Sequence, residues 1–265
     1  MARTKTNYTL TKKSIDDIRH SKYLYMMFKS MRRIGRKMGS ILVRMDNDEP
    51  INIAINERNY IMYLSYILGS LKGGKIGKYN KKLSSVDYIN GEIYKQIQFV
   101  SDNDARDAYN DFIFFKNRKK EKDISDKVES KDYVNTRPDF VIHNNHNKQY
   151  EDSGQKLVVE AKTTNKLDVV DFCWDLLKLN VFINEFSFQN AIYMLVNIDK
   201  DQIEHMLELY NDKIRYYAHD ITKLWFFVQK WNGKQLLPVE IFQLENTMSA
   251  NNGDVQVICE AVNIE

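Results

Sequence analysis

Proline occurs only three times and glycine ten times in 265 residues, so the chain is neither collagen-like nor divided by a flexible linker. No stretch approaches the roughly 18 uncharged apolar residues that a membrane span requires. The opening MARTKTNYTLTKKS carries no apolar run behind its charges, which argues against a signal peptide or an anchor. A cytoplasmic protein with no membrane partner is therefore expected. Only two cysteines are present, Cys173 and Cys259, far apart and in apolar settings. That excludes a disulfide framework and a thiolate metal cluster, and predicts both as core residues. None of the five histidines, His20, His143, His146, His205 and His219, pairs with another at i, i+4, so a helical zinc site is excluded. GxxxxGK[ST], GxGxxG and GxSxG are all missing, which removes the usual support for nucleotide-driven, dinucleotide-binding and serine-hydrolase chemistry. What remains is 43% hydrophobic and 28% charged, enough to bury one substantial core.

The charge is unevenly placed. Residues 1–37 hold eleven Lys or Arg against two Asp, a net of +9, which leaves −6 for the rest of a chain whose total is +3. From Ser14 to Met38 the apolar Leu24, Met27, Phe28, Met31, Ile34 and Met38 recur at three- and four-residue steps. Lys22, Lys29, Arg32, Arg33, Arg36 and Lys37 largely occupy the other faces of this predicted basic helix. Cations in that arrangement suit phosphates, each contact releasing condensed counterions, and the six are candidate nucleic-acid contacts. A solvated surface helix is the competing reading. Tyr23, Tyr25 and Phe28 either stack on exposed bases or belong to the core. A second basic cluster, Lys116 to Lys122, follows an aromatic stretch and is either another phosphate contact or a helix C-terminus favoured by the dipole. Lys and Arg are absent after Lys234 while Glu240, Glu245, Asp254, Glu260 and Glu265 accumulate, so that end is expected to face away from a polyanion.

Along the chain, Ile41–Val43 and Ile51–Ile55 flank a turn-forming DNDEP and predict a hairpin. A helix runs from the N-cap candidate Asn56 to about Leu71, with Tyr60, Leu64, Ile67 or Leu68, and Leu71 on its apolar face. Glu57 shares that inward face in the first turn, through either a special role or the helix dipole. One or two strands near Ile89–Val100 and a helix near Asp104–Lys116 follow. Then come a strand at Asp139–His143, a polar hairpin tip and a strand at Leu157–Thr163. A helix at Asp168–Phe186, a strand at Ala191–Asn197, a helix at Asp199–Tyr217 and a strand at Leu224–Trp231 complete the pattern. Strands alternating with helices predict an α/β or α+β fold, a central mixed β-sheet flanked by helices, with an appended N-terminal basic helix. The expected division is a basic segment over 1–45 and a domain over 46–265.

Arg137–Thr164 carries the chemistry. Alternation along its second strand puts Val158, Glu160 and Lys162 on one face and Leu157, Val159 and Ala161 on the other. Two opposite charges on an otherwise apolar strand cost several kcal/mol unless paired or bound to a metal. Asp139, just after Pro138, begins the partner strand, and a hairpin closing near Gly154 brings it close to Glu160. Two converging carboxylates without histidine or cysteine suit Mg²⁺ or Mn²⁺, and a neighbouring lysine adds fixed positive charge, the parts that phosphodiester cleavage needs. A purely structural Glu160–Lys162 pair is the alternative.

Pro138-Asp139 followed by Glu160-Ala161-Lys162, with 20 residues between the acids, resembles the PD-(D/E)XK nuclease superfamily. The stretches NERNYIMYLSYIL, RPDFVIH and LVVEAK are similar to those of a restriction-like group within it. The resemblance covers Asn56 to about Asn197 and implies a restriction-endonuclease-like core. It further implies Glu57 as helix carboxylate, Asp139 and Glu160 as metal ligands joined by the Ala161 carbonyl, and Lys162 as catalytic cation. The long segment between Glu57 and Arg137 leaves Glu92 a rival for the helix carboxylate. The implied activity is Mg²⁺-dependent DNA endonuclease chemistry, with Mn²⁺ as substitute, on double-stranded DNA and with a role in defence. A homodimer or a partner subunit would supply a second active site. The rival readings are an inactive nucleic-acid-binding or assembly subunit on the same fold, and a small-molecule enzyme with an acidic metal site.

Overall fold

NAIYMLV and LWFFVQ are apolar runs too short for helices and rich in branched and aromatic side chains, the pattern of strands buried on both faces. They lie at the centre of the sheet in the computed structural model of the protein. It describes residues 6–37, 45–46, 49–50, 57–70, 87–91, 95–98, 133–136, 138–144, 154–163, 167–184, 186–214, 221–232 and 236–248. In chain order the elements begin with β1 (Thr6–Lys13), α1 (Ile15–Arg19), α2 (Lys22–Lys37), β2 (Met45–Asp46), β3 (Glu49–Pro50) and α3 (Glu57–Ser70). They continue with β4 (Asp87–Gly91), β5 (Lys95–Gln98), β6 (Tyr133–Thr136), β7 (Phe140–Asn144) and β8 (Gln155–Lys162). The last are α4 (Val169–Asn184), β9 (Asn190–Val196), α5 (Lys200–Ile214), β10 (Leu224–Gln229) and β11 (Glu240–Met248). Seven strands form one mixed sheet in the order β1-β11-β10-β9-β8-β7-β4, and two two-stranded antiparallel pairs, β2-β3 and β5-β6, are separate from it.

The protein is thus a mixed α/β fold. β4, β7 and β8 form an antiparallel meander, while β8, β9 and β10 run parallel and are joined by α4 and α5. Alternation along the strands divides the core into two layers. Val158, Ala191, Tyr193 and Phe226 face the side covered by Phe172 and Leu176 of α4 and Ile203 of α5. Val159, Ile192, Met194 and Phe227 face the side covered by α2 and α3. The predicted inward stripe of α3 is borne out as far as it is described: Tyr60, Leu64, Ile67 and Leu68 are all buried, and Leu71 lies outside the described residues. Among the described residues no helix is long and apolar enough to cross a membrane.

The amino-terminal segment departs from the expectation of an appended helix. β1 pairs along its whole length with β11 at the sheet edge, and Leu24, Met26, Met27, Met31 and Ile34 of α2 are fully buried in the main core. A helix with a wide apolar stripe covers a sheet face, because leaving that stripe in water forfeits roughly 1.5–3 kcal/mol per large side chain. Its positive charge is also partly matched at home. Lys12 lies 2.5 Å from Glu240, Lys13 lies 2.6 Å from Glu245, and Arg19 pairs with Asp16. The acidic end expected to avoid a polyanion therefore supplies, through Glu240 and Glu245, partners for β1. Leu24→Ala is expected to cost about 2–5 kcal/mol in denaturant unfolding, whereas Arg33→Ala on the exposed face stays within about 0.5 kcal/mol. Equal effects would contradict a core role for α2.

Several expected features lie outside the described residues. They are the strands at 41–43 and 51–55, the helix near 104–116, the basic cluster at 116–122, Glu92, Cys259, the hairpin tip and the acids after residue 248. The side chains of Cys173, Arg36 and Lys37 fall outside them as well.

Candidate active site

Asp139 precedes β7, and Phe140 pairs with Val159 across the antiparallel ladder, so the next pair in register is Asp139 opposite Glu160. The two carboxylates expected to meet are thus brought together by the hairpin itself. Oδ2 of Asp139 accepts a 2.8 Å hydrogen bond from the Ala161 amide, which fixes the carboxylate at the strand end. Of Ala161, expected to contribute its carbonyl, the contact seen is this amide donation. Glu160 and Lys162 share the face turned toward α4, as alternation requires. The two do not pair with each other.

Their partners come from α4. Lys178 Nζ lies 2.9 Å from Glu160 Oε1 and 2.8 Å from Asp175 Oδ1, while Lys162 Nζ lies 3.1 Å from Asp175 Oδ2. Tyr193 on β9 donates its hydroxyl to the same Asp175 oxygen at 3.1 Å. Sequence reasoning missed Asp175 and Lys178, although a signal existed. Phe172, Leu176, Leu179 and Phe182 form the buried stripe of α4, and Asp175 falls three residues from Phe172 and four from Leu179, on that stripe. The same argument had singled out Glu57.

Burial sets the electrostatics. Glu160 is only 1% exposed and Asp175 2%, so little water screens them. Desolvation raises Glu160 well above the ordinary carboxylate range, against the pull of Lys178. It also raises Asp139, opposed by the Ala161 amide, and raises Glu57, opposed by Lys162. Glu57 heads α3, half-buried, and its carboxyl is influenced by the charges of Lys162, Asp139, Asp175 and Lys178. Burial pulls Lys162 and Lys178 down, but the neighbouring carboxylates outweigh it and hold both ammoniums above the usual lysine range. With every group ionised, four carboxylates against two ammoniums would carry two net negative charges, and burial pushes Glu160, Asp139 and Glu57 toward the neutral form instead.

That deficit and an all-oxygen donor set suit one hard divalent cation. Glu160 Oε1 adds a specific signal. The approach of Lys178 gives it charge compensation, yet the atom lacks an aligned hydrogen bond and is buried. The positions of the side chains differ from a preformed cage. Among the described residues no three of His, Cys, Asp and Glu converge to hold a metal ion.

The expected nucleic-acid contacts lie on α2, which packs on the opposite face of the sheet. Arg32 and Arg33 are exposed, while Lys22 and Lys29 are half-buried. Lys22, Lys29 and Arg32 stand 5.1, 5.3 and 5.7 Å from the rings of Tyr23, Tyr25 and Phe28. Tyr25 and Phe28 are core residues and have no face to offer a base, and Tyr23 packs against the same core. A cleft of about 650 Å³, lined among others by Lys12, Lys13, Arg32, Gln229 and Glu240, opens beside α2. Its place follows from the register: Lys162, Leu195, Val228 and Glu240 form one row across β8, β9, β10 and β11. The cleft and the carboxylate cluster therefore lie at the same end of the sheet, the cleft on the face covered by α2 and the cluster on the face covered by α4. The carboxyl ends of parallel strands are where open α/β sheets bind ligands.

A comparison of the chain with models of protein families, with curated proteins and with solved structures finds no match.

Proposed function

We propose that the protein is a divalent-metal-dependent nuclease of the PD-(D/E)XK type that hydrolyses phosphodiester bonds of DNA. The observation that carries this reading is Asp139 opposite Glu160 on adjacent strands, with Lys162 two residues on and the same acidic site extended by Glu57. The chain order supports a restriction-endonuclease-like core: a helix headed by a glutamate, an antiparallel meander, a helix, and a strand parallel to the last of the meander.

Asp139, Glu160 and Glu57 would hold Mg²⁺ or Mn²⁺. The chemistry such an ion supplies when bound is Lewis acidity toward water and toward phosphate oxygen. Asp139 is oriented for that role by the Ala161 amide, and Glu160 by its fixed place on a central strand. Asp175 steers the Lys162 ammonium, which offsets the charge that grows on the phosphate as the bond to the leaving oxygen lengthens. Burial strengthens that offset because little water screens it.

The inactive binding or assembly subunit is the second reading, favoured by the ion pairs that Lys162 and Lys178 already make with the acids. One experiment separates the two. Purified protein and Lys162→Ala are incubated with plasmid and with single- and double-stranded oligonucleotides in Mg²⁺, Mn²⁺ or EDTA. The nuclease gives cleavage that requires the metal and is lost in the variant. Salt-sensitive binding without cleavage under any of these conditions identifies the subunit instead.

A further inference from the structure

Lys178 is the least expected charge in the site. It is 7% exposed, sits in the middle of a helix whose inward stripe is apolar, and lies within 3 Å of both Glu160 and Asp175. A lysine normally keeps its ammonium in water, and burying one is costly unless its partners are well placed. Here the partners are the carboxylate expected to bind metal and the carboxylate that steers Lys162. The contact with Glu160 is short but poorly aligned, while Asp175 also holds Lys178 from one helical turn away. The ammonium is therefore tethered to Asp175 by its own helix and shared with Glu160 across the interface.

We propose that Lys178 is the site's resident counter-cation and competes with the divalent ion for Glu160, so that metal binding is an exchange in which the ammonium leaves Glu160 and stays on Asp175. The inference rests on the metal-dependent reading of the site and adds to it a positioning residue outside the expected set. It accounts for two observations together. Lys178 Nζ stands between two of the acids, 2.9 Å from Glu160 and 2.8 Å from Asp175. The cluster nevertheless holds four carboxylates against two ammoniums, and the exchange brings in the cation it lacks. Lys178 has a second place to go, because Asp175 Oδ1 accepts it at 2.8 Å whether or not Glu160 is engaged. In the metal-free protein Lys178 keeps Glu160 from standing buried and alone. With the ion in place Lys178 remains beside the reacting phosphate as a second fixed positive charge.

The test is Mn²⁺ affinity measured by titration calorimetry on the full chain without DNA, for the wild type, Lys178→Met and Lys178→Arg, with Asp139→Asn as the control for binding at this site. Met fills a similar volume without charge, so removing the competitor is expected to tighten Mn²⁺ binding by at least about tenfold. Arg grips carboxylates bidentately and is expected to weaken it by at least about threefold. The Arg variant keeps the charge balance, so the comparison stands even where Lys178→Met does not fold. Equal affinity in the wild type and Lys178→Arg, or weaker binding in a folded Lys178→Met, overturns the exchange and leaves the nuclease reading intact. No Mn²⁺ bound by any variant overturns both, and the oligonucleotide experiment then decides for the binding subunit.

Discussion

On the proposed nuclease reading, Asp139→Asn is expected to lower metal-dependent cleavage by about 10³-fold or more, while the fold melts at the wild-type temperature or slightly above it. The exchange is isosteric, and the amide oxygen can still accept from the Ala161 N–H that holds Asp139 at 2.8 Å. What disappears is one negative charge that would face the proposed cation, a loss on the scale of removing a preorganised electrostatic contact. The effect on stability has the opposite sign. Burial raises the pKa of Asp139 in the folded protein above its ordinary 3.8, so the folded state favours the neutral form. A group of that kind contributes stability below its unfolded pKa and loses it as pH rises through the folded value. The asparagine variant is therefore at least as stable as the wild type in EDTA near pH 7, and the gain vanishes on acidification toward 3.8. Calorimetric melts across that range, alongside the cleavage assay, measure both. A variant that cleaves within tenfold of the wild type would remove Asp139 from the site, and one that unfolds would show the carboxylate to be structural.

The second large effect is on stability. Asp175→Ala is expected to cost roughly 3 kcal/mol and to lower the melting temperature by about 6–12 °C. Both oxygens of this 2%-exposed carboxylate are in use: Oδ1 by Lys178, Oδ2 by Lys162 and by the Tyr193 hydroxyl. Removing the carboxylate leaves two largely buried ammoniums with fewer partners and takes the Asp175 acceptor from the Tyr193 hydroxyl. Asp175→Asn keeps one acceptor oxygen but sets an NH₂ donor where the other oxygen stood and removes the charge, so it should recover only part of that loss. The alanine variant should also lose activity beyond what its stability explains, because Lys162 is no longer steered. A loss below about 1 kcal/mol for Asp175→Ala would mean that the ammoniums find water or other carboxylates without strain.

Much of this site was legible because the relevant signals are local. Period-two alternation placed Glu160 and Lys162 on one strand face, helical periodicity placed Glu57 on the inward side of α3, and Pro138 with a closing hairpin placed Asp139 near Glu160. Each needs only the geometry of one element or one turn. Asp175 and Lys178 escaped because a charged residue on an apolar stripe acquires meaning only once its partner is known, and that partner lies on another element. The amino-terminal strand escaped for a related reason. Its alternation, with Tyr8 and Leu10 buried, is short and mostly polar, and β11 pairs with it from more than 200 residues away.

By itself the sequence determined the alternation of strands and helices, the buried faces of α3 and β8, and the meeting of Asp139 with Glu160, because backbone periodicity and hairpin closure act over a few residues. Only the tertiary structure decided that α2 is a core helix and that β1 completes the sheet against β11. It alone also decided that Lys162 is held by Asp175 while Lys178 stands at Glu160. Those outcomes depend on which surfaces are excluded from water together, and burial makes one charge govern another only after distant parts of the chain have been brought into contact.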